Sequence, residues 1–339
     1  MSSLAIDLGT SHTRIFIPNK GVVVNEPSVV AVDPLMKNIY AIGSEAFEML
    51  GRTSKDIQVV YPLLGGMIRD YCMIEGMVKF FLKRAKKAWL IMPKALICIP
   101  GEITDVQKIA VINAIQSAGI RKVRIIEAPI AAAVGSGIEI SNPRGLLVVN
   151  VGAGTTDIAI MSLNGLVAST SLRIAGDDMD EAITRYVKCK HNLIIGKRTA
   201  EILKIKIGSV FPQVKRLVHT VKGKDTINRL PKSVEVFSDE VFGVLSKVVE
   251  KILDSIVEML EIVSPELVAD ILSDGVTLSG GCARLAGLDK AISSRTGLEV
   301  KVVEEPEFCV ARGAGESIKY MSSNVHMENF GVINPLSLD

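Results

Sequence analysis

The stretch that most constrains this chain runs from Leu146 to Ile160, Leu-Leu-Val-Val-Asn-Val-Gly-Ala-Gly-Thr-Thr-Asp-Ile-Ala-Ile. An apolar run of this kind reads as a strand covered on both faces. It breaks at Gly152-Ala153-Gly154-Thr155-Thr156 and then apolar character resumes, which predicts a tight strand-turn-strand hairpin. Residues this small let backbone N–H groups approach an anion, and threonine hydroxyls add short donors. Taken alone, the same pattern also describes an ordinary glycine-rich turn.

The chain repeats the device. Leu4-Ala5-Ile6-Asp7-Leu8-Gly9-Thr10-Ser11-His12-Thr13-Arg14-Ile15-Phe16-Ile17 is again strand, Gly/Thr turn and strand. Two such hairpins, one in each half, predict two similar domains that close on a nucleotide from opposite sides. No GxxxxGK[ST] sequence occurs, so a single-helix P-loop is excluded.

Length and composition narrow the classes further. At 339 residues, two or three domains with sizeable cores are expected. A net charge of +2 and 4% aromatics argue against a nucleic-acid partner and base-stacking platforms. The five cysteines, Cys72, Cys98, Cys189, Cys282 and Cys309, form no CxxC pair and fit buried thiols in a reducing cytosol. The four histidines are scattered, so a histidine metal site is not expected. No apolar run reaches the ~18 residues of a membrane span. No secretory leader is expected ahead of a strand that begins by Leu4.

Along the chain, strands and helices alternate with short links, which indicates an α/β class with largely parallel, covered sheets. Residues 31–66 read as a small inserted subdomain, and 69–87 as a helix with Met73, Met77, Phe80 and Phe81 on one stripe. Lys83, Arg84, Lys86 and Lys87 end that helix, followed by the apolar tip Trp89, Leu90, Ile91 and Met92. Such a tip either folds into the core or inserts at a lipid headgroup layer, with the cations meeting anionic lipid. Thr104 and Gln107 form a capping box. Pro129 opens an alanine-rich helix. Residues 213–238 alternate as charged strands, and 242–264 form a long amphipathic helix.

Asp7-x-Gly9-Thr10, Asn150-x-Gly152-x-Gly154-Thr155-Thr156 and Leu278-Ser279-Gly280-Gly281 together resemble the actin-like ATPase superfamily of actins, heat-shock chaperones and sugar kinases. Asn25-Glu26-Pro27-Ser28-Val29-Val30-Ala31, Gly176-Asp177, Asp180-Glu181-Ala182-Ile183 and Val310-Ala311-Arg312-Gly313 narrow the resemblance to the MreB bacterial actins. It implies an actin-like fold with subdomain IA at 1–30, 67–140 and 316–339, IB at 31–66, IIA at 141–178 and 248–315, and IIB at 179–247. It implies ATP or ADP with Mg2+, bound by Gly9, Thr10, Ser11 and His12 on one hairpin and Gly152, Ala153, Gly154 and Thr155 on the other. Glu201 and Lys204, one helical turn apart, would meet the ribose and adenine; by spacing alone a surface ion pair is the commoner arrangement. Gly280, Gly281, Cys282 and Ala283 would pack on the adenine. The resemblance also implies filaments, in antiparallel pairs, on the inner face of the cell membrane. There Lys83, Arg84, Lys86, Lys87 and Trp89 to Met92 would form the lipid contact, beside membrane proteins of the cell-shape machinery.

Two positions depart from the family pattern. The second hairpin begins with Asn150 where the family has an aspartate that holds magnesium through water, which leaves Asp7 as the anionic protein group. The family's Glu-Glu-Pro is here Glu127-Ala128-Pro129, and alanine cannot orient an attacking water. Glu127, Asp157 and Thr155 remain as weak substitutes. Loss of a water-orienting group typically costs about 10²–10⁴-fold in rate, so slow hydrolysis is expected. The alternatives weighed are a small-molecule kinase of the same fold and a chaperone-type ATPase. The first lacks an evident sugar-binding acid, and the second is expected to carry a substrate-binding module beyond the ATPase unit.

Overall fold

The computed structural model describes residues 3–36, 38–85, 93–319 and 332–333. Two sheets share one plan. In the first, Gly21–Pro27, His12–Ile17 and Ser3–Leu8 form an antiparallel meander, and Lys94–Ile99 and Val123–Glu127 continue it in parallel. In the second, Gly165–Leu172, Thr156–Ser162 and Leu146–Val151 form the meander, and Val276–Ser279 and Val300–Val302 continue it in parallel. The first sheet carries one more short antiparallel strand, Val332–Ile333, beside Val123–Glu127. The chain thus uses the same hairpin-led architecture twice.

Each sheet buries its outer face under its own helices. Tyr71–Ala85 and Asp105–Ser117 pack over the first sheet with Phe81, Ile74 and Ile115 fully buried. The expected stripe on the first of these helices is rotated: Ile74, Met77, Val78, Phe81 and Leu82 are buried, whereas Met73 and Phe80 are only partly so. Asp105–Ser117 starts with the full capping box, Thr104 Oγ1 accepting from Gln107 N and Gln107 Oε1 from Thr104 N. Gly176–His191, Ser238–Glu261 and Leu288–Thr296 cover the second sheet. The long helix begins four residues earlier than its apolar period suggests, with Glu240 Oε2 accepting from Phe237 N at 2.8 Å. The charged stretch before it supplies two strands, Val218–Asp225 against Pro231–Phe237, of a three-stranded sheet completed by Leu193–Ile194. A separate small sheet, Val30–Val32 with Ile39–Ile42 and Gln58–Val60, lies in the inserted segment.

The inner faces meet a third core. Ala5, Leu96 and Ile126 of the first sheet and Val148, Ala159 and Met161 of the second share it with two helices, Ala128–Gly135 and Cys309–Ser317. Cys309–Ser317 packs on the first sheet, Ala128–Gly135 on the second, and the two helices cross each other. Their crossing is made by absent side chains. A Cβ on Gly313 would overlap the Ala131 carbonyl oxygen, and one on Gly135 the Cys309 carbonyl oxygen. Arg312 finishes the pair, donating from Nε to the Gly135 carbonyl at 2.8 Å and from Nη2 to Glu304 O at 3.2 Å. A cation on the last carbonyls of a helix also meets the negative end of its dipole.

Gly313→Ala is therefore expected to destabilise the chain by about 3 kcal/mol or more, because backbone rather than a movable side chain stands in the way. Gly243→Ala, in the long helix with open space at its Cβ, is expected to stabilise by about 0.5–1 kcal/mol. Urea unfolding of the two variants checks both signs.

Candidate functional site: a cleft between two hairpins

The two meanders place their turns face to face, and a cavity of about 560 Å³ opens between them. That size suits a nucleotide-sized ligand. Gly9, Thr10, Ser11 and His12 line it from one side, and Gly152, Ala153, Gly154 and Thr155 from the other. In both turns the first glycine lies against the carbonyl oxygen three residues on: a Cβ on Gly9 would stand 2.7 Å from His12 O, and one on Gly152 3.2 Å from Thr155 O, to which Gly152 N donates at 2.9 Å. Ser28 braces the first turn, donating from Oγ to Gly9 O at 2.7 Å while its amide donates to Ser11 O at 2.8 Å. The hairpins touch where Gly154 has no side chain, since a Cβ there would run into Thr10 Oγ1. Gly66 N donates to the same Thr10 oxygen at 3.1 Å.

The floor consists of two cross-strand register pairs, Asp7 opposite Arg14 and Asn150 opposite Asp157. Directly opposed residues point to one face of a sheet. Asp7 Oδ2 lies 3.5 Å from Arg14 Nη1, and burial pushes the Asp7 carboxyl above its ordinary range although Arg14 pulls it down. Asp157 is held by four donors. Oδ1 accepts from Ser171 Oγ at 2.6 Å and Gly101 N at 3.1 Å, and Oδ2 from Asn150 Nδ2 at 3.4 Å and Thr155 Oγ1 at 3.5 Å. Burial raises its pKa, and those donors oppose the rise. Asn150 also accepts from Ser279 Oγ at 3.2 Å. His12 stays neutral, its pKa lowered to about 4 by burial, with Arg14 adding to the effect.

The other end of the cleft is polar. Glu201 and Lys204 both line it. Lys204 Nζ lies 2.9 Å from Asp180 Oδ1 and donates to Gly176 O at 3.0 Å. Burial pushes Asp180 up to about 6 in spite of that lysine. Lys197 pairs with Asp177 at 2.9 Å and stands 4.4 Å over the Tyr61 ring. The turn at Gly280 has φ +87, and Val151 O fills the space a Cβ would need, so glycine is required there. Cys282 donates from Sγ to Gly152 O at 3.1 Å, and burial pushes its thiol up to about 11. Gly280, Gly281 and Cys282 line the cleft; Ala283 is buried behind them in the second core.

Ala128 lines the cavity, whereas Glu127 does not. Glu127 ends its strand and precedes the first helical residue, so the step of one position turns its carboxyl away. Burial pushes it up to about 7, with Lys108 opposing and Asp157 and Glu102 adding. Of the basic tip, Arg84 is engaged: Nη1 donates to the buried Glu26 Oε1 at 2.6 Å, and Glu26 Oε2 accepts from Ser44 N at 2.8 Å. Lys83 is exposed at the helix end. Lys86, Lys87, Trp89, Leu90, Ile91 and Met92 lie outside the described residues. Sequence reasoning missed Arg14, Asp177, Asp180, Lys197 and Tyr61 as cleft residues. Only the i, i+3 spacing of Asp177 and Asp180 at one helix start carried a signal.

A group whose folded pKa is raised gives stability that is full below its unfolded value and is lost as pH rises through the folded one. Glu127→Gln is thus expected to stabilise the chain by about 2–3 kcal/mol above about pH 8 and to have little effect below about pH 4. Thermal melts across that range check the sign and the window.

The sequence matches the MreB/Mbl protein family over residues 1–326. It is 41% identical over 313 residues to the cell shape-determining protein Mbl of Bacillus cereus, covering 92% of this chain and 94% of that one. It is 39% identical over 324 residues to the cell shape-determining protein MreB of Escherichia coli, covering 94% and 93%. The crystal structure of MreB5 of Spiroplasma citri bound to ADP superposes with a TM-score of 0.91 at 33% identity, covering 96% of this chain and 98% of that one. MamK, solved as a double helical filament, has a TM-score of 0.80 at 24% identity over 94% of this chain and 98% of MamK, and attests the fold alone. The fold is actin-like, and the chain belongs to the MreB/Mbl family.

Proposed function

We propose that this chain is a nucleotide-gated cytoskeletal protein that binds ATP and ADP in the cleft and polymerises head to tail. The observation that carries the reading is the pair of matching hairpins, one from each sheet, lining a single nucleotide-sized cavity. A ligand held there touches both sheets, so its phosphates bias the angle between them. A heterologous contact between such subunits does not close on itself and builds a filament. The cell shape-determining relatives and the ADP- and AMPPNP-bound MreB5 structures support the same reading. The filaments are proposed to be antiparallel double strands on the cytoplasmic face of the cell membrane, anchored through the tip at Trp89 to Met92. There they would govern cell shape beside membrane proteins. No described helix is long and apolar enough to cross a membrane, and a peripheral attachment needs none.

Hydrolysis is proposed to be slow. Ala128 presents no acceptor to the cavity, Asn150 brings no charge to the floor, and the Asp157 oxygens are taken by four donors. Where magnesium accompanies the nucleotide, Asp7 is the floor carboxylate left to meet it, with Asn150 acting through water.

Sedimentation with and without ATP tests the assembly: nucleotide-dependent polymer is expected, and a soluble species under all conditions refutes it. Phosphate release from an Ala128→Glu, Asn150→Asp double variant is expected to exceed that of the parent by about tenfold or more; equal, brisk rates in both refute slow hydrolysis. Trp89→Ala, Leu90→Ser is expected to abolish co-sedimentation with anionic liposomes, and undiminished binding rules out that tip as the anchor.

A further inference from the structure

The floor of the cleft is a poor fit for a tightly held divalent cation. Magnesium at a phosphate site is usually held by one or two carboxylates, the phosphates and water. Of the floor side chains, Asn150 is neutral, and Asp157 is engaged: Oδ1 accepts from Ser171 Oγ and Gly101 N, while Oδ2 faces Asn150 Nδ2 and Thr155 Oγ1 in longer contacts at 3.4 and 3.5 Å. Asp7 remains, but Arg14 is its register partner and stands 3.5 Å away. A dication drawn to Asp7 would sit against a guanidinium whose side chain is only 15% exposed and has little room to retreat into water.

Arg14 has the features of an anion ligand. Its Nε is buried without a hydrogen-bond partner, and its one contact with Asp7 is long. A buried N–H left unmade is costly until something accepts from it. Guanidinium donors match phosphate oxygens in geometry and charge. Phe308 lies 5.3 Å from the guanidinium carbon and holds it over the cleft. The other cations lining the cavity are each closed by a carboxylate at 2.9 Å, Lys197 by Asp177, Lys204 by Asp180 and Arg284 by Glu307.

We infer that Arg14 supplies from the protein the positive charge that a divalent metal would otherwise bring to the phosphates. The chain accordingly binds the polyphosphate of a nucleoside di- or triphosphate with little dependence on metal. This rests on the nucleotide reading above, and deepens it.

Calorimetric titration of ATP and ADP into the full chain, with excess Mg2+ and again with EDTA, decides the matter. Affinities within about threefold of each other are expected, and a loss of about tenfold or more on chelation overturns the inference. Arg14→Met, with its fold checked by thermal melting, is expected to lower affinity in EDTA by about tenfold or more, the effect of losing one charge-assisted bond. Affinity equal to the parent in EDTA overturns the inference as well. If that variant does not fold, Arg14→Gln is read in its place. No affinity in either buffer would refute the nucleotide reading itself, a result distinct from metal-dependent binding.

Discussion

The structure depends on two helices that meet backbone to backbone. Ala128–Gly135 and Cys309–Ser317 fill the space between the sheets, and they fit only because Gly135 and Gly313 leave room for carbonyl oxygens of the facing helix. Larger side chains would push the sheets apart and pull the hairpins out of reach of each other. Interiors are packed at crystal-like density, so such a crossing sets distance and angle together. The cleft above it takes its width from this contact.

On that base, duplication does the rest. Each half delivers a strand, a small-residue turn and a returning strand, and each presents one register pair to the floor. The pairs are not chemically equivalent. One joins a carboxylate to a guanidinium, and the other joins an amide to a carboxylate that four donors surround. The architecture is symmetric to a first approximation, while its electrostatics are not.

Much of this was legible in the sequence because local rules and tertiary structure agree there. The two glycine-threonine turns, the capping box at Thr104 and the apolar period of the long helix all follow from short-range chemistry. Other features were not legible. The stripe of Tyr71–Ala85 is rotated because the sheet, rather than the spacing of its largest side chains, chooses the buried face. Arg14 reads as an alternating polar residue on a strand, and only the pairing register brings it to Asp7. Ala283 sits among cleft residues in sequence, yet the tight turn at Gly280 swings it into the core. Asp177 meets Lys197, and Asp180 meets Lys204, only when two helices pack.

The short turn at Pro306–Phe308 touches both sides of the molecule. Pro306 O accepts from Gly280 N at 2.9 Å, Glu307 pairs with Arg284, and the Phe308 ring lies beneath Arg14 of the opposite sheet. Arg312, one helical turn on, grips the end of the facing helix. This segment therefore works as a linkage bar. Rocking one sheet against the other must either drag the glycine turn at 280 along or shear the ring from the guanidinium. As long as that ring contact holds, opening of the cleft and reshaping of its far wall are one motion rather than two.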